Sequence, residues 1–256
     1  MVTIGSELMQ SWVLGLLLPL TRILALIAMA PILGHPTIPK RVKLGLGVIL
    51  TLMMMPTLPP MPAIEIFSLQ GLLVLVQQMM IGLAIGFSMR LVFSAIEVTG
   101  QLISMTMGLG FASFFDPQTR AQSTAISQFL VILALLIFLS LDGHLIFITA
   151  ISNSFHVIPV SLDSLNMDFM KIALWGEIVF SAGLLLAMPV IAALLVTNMA
   201  LGILTRTAPQ LNLFGIGFPI TISVGFVVLA LSLSNMVNPI EHLISVSSDR
   251  MLQITK

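Results

Sequence analysis

The side chains able to do chemistry are few. There are four His, at positions 35, 144, 156 and 242, no Cys, and 10 Asp+Glu in the whole chain. None of the His fall at the i, i+4 spacing that puts a zinc pair on one helical face. Without Cys there are no disulfides, thiolate metal sites or Cys nucleophiles. The sequence holds no Gly-x-Ser-x-Gly elbow and no phosphate-binding loop. Asp116 and Asp142 are the one conceivable carboxylate pair, and each sits at an expected helix boundary where capping or solvent accounts for it better. We therefore expect no enzyme activity, no metal and no cofactor, and any driving force must come from elsewhere.

The informative polar residues are arranged instead as a stripe. Arg90, Ser94, Glu97, Gln101 and Ser104 step by four, three, four and three, the spacing that shares one face of a helix. Val98, Leu102 and Met105 fall on the opposite side, so an amphipathic helix continues from the hydrophobic run before it. Further on, Asp116-Pro117 reads as an N-cap with proline at the first helical position. Along the helix it would start, Arg120, Ser123 or Thr124, and Ser127 share a face that turns dry from Phe129 onward. Two such stripes facing each other would line an aqueous path, wet but unselective because Ser and Gln dominate it.

Between the two lies Met105-Thr106-Met107-Gly108-Leu109-Gly110-Phe111-Ala112-Ser113-Phe114-Phe115. Thioethers adapt to irregular space, and the glycines permit turns closed to other residues. Two readings fit these residues alone: an interhelical turn packed on its neighbours, or a deformable apolar constriction at the mouth of the path.

The elements that must position these residues belong to a membrane. Only 8% of the side chains are charged, against about one-quarter in an ordinary soluble domain. Hydrophobic residues make up 58%, and mean hydropathy is +1.13. A soluble monomer of this composition would expose far too much apolar surface. The net charge of +0 and the lack of any broadly basic segment exclude a nucleic-acid binder, and the high apolar content excludes disorder. We expect an all-α integral membrane protein, with residues 1–256 as a single membrane domain and 90–128 as its amphipathic helix, loop and wet helix start.

About six apolar runs are visible: Trp12 to Gly34, Leu44 to Leu58, Leu72 to Met89, Ile126 to Leu141, Ile172 to Leu204 and Leu213 to Val237. No Lys or Arg precedes the first and Arg22 interrupts it, so it reads as a retained helix and not a signal peptide. The second would reach only about 22 Å and the fifth about 50 Å, whereas a hydrocarbon core is about 30 Å thick. Pro56, Pro59, Pro60 and Pro62 close the second run, and Pro19, Pro31, Pro189 and Pro219 lie inside or at the ends of others. Kinked, bent hairpins inside a larger assembly are therefore expected. Gly82 and Gly86 form a small-xxx-small pair suited to a close helix neighbour.

Lys40, Arg41 and Lys43 point to a cytoplasmic first loop, which with six full crossings would leave the carboxyl terminus outside. Three runs precede residue 125 and three follow, but no internal repeat supports two inverted halves. Arg22, in mid-run, is expected to be enclosed and paired with a carboxylate such as Glu97 or Glu177.

Four stretches together resemble one family. Gly108-Leu109-Gly110-Phe111-Ala112-Ser113-Phe114-Phe115-Asp116-Pro117-Gln118-Thr119 is similar to the signature of the FliR family of flagellar and type III secretion export-gate proteins. The Arg22 run closing in Ala30-Pro31, Ile38-Pro39-Lys40-Arg41-Val42-Lys43-Leu44, and Ala208-Pro209-Gln210-Leu211-Asn212-Leu213-Phe214 with Gly217-Phe218-Pro219 agree in order. The resemblance implies a bacterial inner-membrane subunit of the flagellar basal body. It would join FliP- and FliQ-like partners in a helical, ring-like assembly of bent hairpins, with an FlhB-like subunit associated, through which unfolded flagellar proteins leave the cytoplasm. It also implies a plug role for Gly108, Gly110, Phe111, Phe114 and Phe115, to which we add Met105 and Met107. The pore-facing stripe would be Arg90, Glu97, Gln101, Ser104, Arg120 and Ser127. A secondary transporter or ion channel is the alternative that polar stripes and broken helices also suit.

Overall fold

The computed structural model describes residues 6–60, 62, 64, 65, 68–109, 124–161, 169–208 and 216–254. All regular structure among them is helical, with no strand. The helices are α1 (Ser6–Met29), α2 (Lys40–Met54, followed by a 3-10 turn at Met55–Thr57), α3 (Leu69–Thr106), α4 (Ala125–Ser140), α5 (Gly143–Val157), α6 (Phe169–Trp175), α7 (Glu177–Thr207) and α8 (Phe218–Ile254).

Against the six apolar runs of the sequence, four stretches among the described residues are long and apolar enough to cross a membrane: Trp12–Met29, Leu69–Thr106, Met170–Thr207 and Phe218–Met251. Counting α4 with α5 as one broken span makes five. The shortfall comes from α2, whose 15 residues are too few. Pro19 and Pro189 sit inside α1 and α7, each assigned as one helix throughout. Pro219 is the second residue of α8, where the missing N–H costs no helical bond. Asp142, in a left-handed conformation (φ 53), separates α4 from α5, a backbone position that a short polar side chain tolerates.

The chain forms two compact units. The first comprises residues 1–91, 142–175 and 244–256. Within it α1 and α2 make an antiparallel hairpin, since Gly47 meets Leu24 and Leu20 while Gly15 meets Met55. Lys43 Nζ donates to the carbonyls of Gly34 (2.9 Å) and His35 (3.0 Å), fastening the connecting loop. The first half of α3 runs parallel to α1: Gly82 lies on Arg22 and Ala25, and Gly86 on Leu26 and Met29. Two parallel helices need a return leg between them. It consists of α2 and the proline-rich stretch after it. At the carboxyl end, Ser247 Oγ donates to the Ser88 carbonyl (3.0 Å), and Arg250 lies 4.9 Å from the Trp175 ring centroid.

The second unit comprises residues 92–141 and 176–243. Here the last part of α3 and α4 form an antiparallel hairpin. Gly100 packs on Ser127 at one end, and Phe93 meets Phe138 edge-on at 5.9 Å at the other. Gly183 of α7 rests on Ala95 and Val98, and Thr99 Oγ1 bridges the Ala95 (2.9 Å) and Gly183 (3.1 Å) carbonyls. The buried face of α7 (Gly183, Ala187, Val190, Leu194, Leu201) follows helical spacing, whereas Phe180, Leu185, Val196, Met199 and Ile203 are exposed.

Candidate functional site

α3 has 38 residues and spans about 57 Å, nearly twice the hydrocarbon thickness. Its apolar opening, 69–89, is by itself one bilayer long at about 31 Å. Arg90 follows immediately and is exposed, so the polar stripe occupies the part of the helix that a single crossing does not need. Along it exposure declines: Ser94, Glu97 and Gln101 are half-buried, and Ser104 is fully buried, its hydroxyl without a partner among the described residues. Opposite, Val98 and Leu102 are half-buried and Met105 is 69% exposed.

The second half of the stripe is placed differently from a free pore lining. Ser127 is fully buried; its Oγ bonds the Glu97 carbonyl (3.0 Å) and lies 2.9 Å from Thr124 Oγ1. Thr124 has an extended backbone, and its hydroxyl accepts from Ser127 N (3.2 Å), making it the N-cap of α4. The helix bearing Ser127 begins at Ala125. Arg120, Asp116 and Pro117 lie outside the described residues, as do Gly110, Phe111, Phe114 and Phe115.

The near end of the loop is described. Met107 is fully buried, its side chain against Gly225 of α8, and Gly108 has φ +84 with the Phe218 ring beside it. The loop thus departs from α3 next to α8 and returns at a capped helix start packed on α3 itself.

Arg22 is fully enclosed, but by neutral groups and not by the carboxylate we expected. Its Nε donates to Gln78 Oε1 (2.8 Å), Nη1 to Ser154 Oγ (3.0 Å) and Nη2 to the Ile158 carbonyl (3.0 Å). The guanidinium also stacks 4.1 Å from the Phe155 ring centroid. Sequence reasoning missed this cage; the available signal was Gln77-Gln78 interrupting the third apolar run. The carbonyl left open at the end of α5 has no signature at all. Nearby, Met29, Met80, Leu83, Ala84, Phe87 and Ile172 line an apolar cleft of about 210 Å³. Among the described residues no three His, Asp or Glu side chains gather as a metal site would require.

These features describe a helical membrane protein, its longest helices outrunning a bilayer, with a polar-striped hairpin where an enzyme would carry reactive groups. The chain belongs to the bacterial export proteins, family 1, whose family model matches residues 13–246. It is 44% identical over 255 residues to the flagellar biosynthetic protein FliR of Pectobacterium carotovorum subsp. carotovorum, covering 99% of this chain and 97% of that one. FliR of Escherichia coli (strain K12) is 42% identical over 247 residues, 96% of this chain and 94% of that one. FliR of Bacillus subtilis (strain 168) is 32% identical over 239 residues, 92% of each.

Proposed function

We propose that this protein is a core subunit of the flagellar type III secretion export gate in the bacterial inner membrane. With FliP- and FliQ-like partners, and an FlhB-like subunit alongside, its bent hairpins form a helical ring through which unfolded flagellar proteins pass. The Met/Gly/Phe loop at 105–115 helps to seal the closed channel, and Arg90, Glu97 and Gln101 of the stripe, with Arg120, line the approach, while Ser104 and Ser127 are buried within the hairpin.

One observation carries the reading. In a chain of the export family, the uncharged Met/Gly/Phe stretch 105–115 leaves α3 at Met107, buried against α8, and the chain rejoins the same hairpin at the Thr124 cap of α4. Charge selection plays no part in it, which suits a passage for chains of many sequences. The transporter alternative gains no site among the described residues, because Arg22, the charge nearest mid-span, is fully enclosed.

Deleting Gly110 to Phe115 tests the assignment. The variant should still co-purify with its partners, while cells expressing it leak ions and take up small dyes. Unchanged conductance in an assembled complex would remove the sealing role.

A further inference from the structure

We propose that Met107 and Gly108 are the mooring of the sealing loop and not part of its sealing surface; the inference rests on the reading of that loop as a seal. Five residues of one helix face and loop edge interlock. On α8, Phe218, Thr221 and Gly225 are spaced i, i+3, i+7 and so face the same way. The Met107 side chain fills the notch at Gly225, where a Cβ would stand 2.6 Å from its Cγ, 2.7 Å from its Cε and 2.9 Å from its Sδ. One residue along, the relation reverses. Phe218 of the helix occupies the space beside Gly108 of the loop, where a Cβ would lie 2.7 Å from the ring Cε2. Between these two contacts Thr221 Oγ1, which donates to its own Phe218 carbonyl (2.9 Å), also reaches the Met107 carbonyl at 3.4 Å.

Each glycine is thus the space its neighbour's side chain needs. Gly108 carries a second requirement, since φ +84 is strained for any residue with a Cβ. Met107 N still donates to the Ile103 carbonyl (2.9 Å) and Gly108 N to that of Met105 (3.0 Å), so this point remains continuous with the last turn of α3. The contact with α8 therefore extends as far as Gly108. Met105, exposed while Met107 is enclosed, is the methionine free to meet a substrate or a neighbouring subunit.

The chain has no Cys, so a disulfide can be introduced without competition. Position 225 and Met107 are placed for one: a Cβ at 225 stands 2.6 Å from Met107 Cγ, one bond beyond the Cβ, and a disulfide needs its Cβ atoms about 3.5–4.5 Å apart. In membranes holding the assembled complex, Met107→Cys/Gly225→Cys should oxidise to an intramolecular disulfide, and cells should continue to export with the bond closed. Gly225→Leu and Met107→Ala should each raise ion leak several-fold, by expelling or removing the mooring side chain. The double variant Met107→Ala/Gly225→Leu should return towards the native level, because Leu fills the space Met leaves. Absence of the disulfide, or export that stops on oxidation and resumes on reduction, would overturn the mooring. So would a swap no tighter than either single variant. Disulfide formation does not depend on sealing: a closed bond together with a leak-free Gly110 to Phe115 deletion would end the sealing role and leave the contact standing.

Discussion

At the scale of single residues, Arg22 shows how a membrane helix holds a charge without a counter-ion. Placing Arg at mid-span costs at least about 2.5 kcal/mol on insertion scales. Hydrogen bonds to charged groups return about 1.5–3 kcal/mol each, and a desolvated cation–π contact about 2. Three neutral acceptors and the face of Phe155 therefore suffice, and a buried carboxylate, with its own desolvation penalty, is not required. Gln78 and Ser154 are the acceptors open to mutation, since both are side-chain groups on other helices, whereas the third is a backbone carbonyl. Gln78→Leu should lower stability by about 1–3 kcal/mol by leaving a buried guanidinium N–H unpaired. Gln78→Glu keeps an acceptor in place and should be tolerated. Thermal unfolding of the purified assembly, followed by protease sensitivity, checks both; equal effects from Leu and Glu would show that the cage does not hold the charge.

At the scale of elements, close approach fixes which helices neighbour one another. A Cβ at Gly82 would run into the Arg22 carbonyl oxygen and lie 2.9 Å from Ala25 Cβ, so Gly82→Ala should force α1 from α3 and cost about 1–3 kcal/mol. Gly45, in α2 with nothing within 4 Å of its missing Cβ, is the control: Gly45→Ala should stabilise by about 0.5–1 kcal/mol through helix propensity. Opposite shifts in melting temperature are the expected result. Much of this level was legible from residue order. The apolar run ending at Met89 and the polar stripe after it do belong to one helix, α3, as expected of an amphipathic stretch continuing from a hydrophobic one with no helix breaker between them. Two elements were not legible. α5 has a short apolar stretch, 145–151, flanked by Asp142 and by Asn153 and His156, so it does not read as an element, and its burial comes from neighbours remote in sequence. The Thr124 cap of α4 was the other, because it works through contacts with Ser127 that hydrophobic periodicity does not record. Of the candidate site, the stripe's spacing was readable, but its graded burial was not, because that depends on which helices pack against α3.

At the scale of the whole molecule, the chain leaves more apolar surface uncovered than it encloses on its later helices. The apolar windows of α1 and α3 are each 50% buried inside the chain, but those ending α7 and within α8 are only 33% and 28% buried. Lipid can cover an exposed Phe180 or Val196, yet it cannot serve the return leg from α2 to α3. That leg is 15 helical residues followed by Pro56, Pro59, Pro60 and Pro62, and backbone groups outside regular helix at membrane depth must be satisfied by protein or water. α3, α7 and α8, at about 57, 46 and 55 Å, also reach well beyond a 30 Å core, so their ends need cover that hydrocarbon does not supply. In the ring we propose, neighbours that bind the folded state would stabilise such a chain. Expressed alone, it should be cleared by proteolysis several-fold faster than when two smaller, equally hydrophobic export-gate subunits are made with it, and those subunits should co-purify in fixed ratio. Pulse-chase turnover with and without the partners, followed by mass measurement of the intact complex, decides the point. A long-lived lone chain that purifies as a monomer would mean that lipid is sufficient cover, and that these helices cross the membrane without the ring we propose.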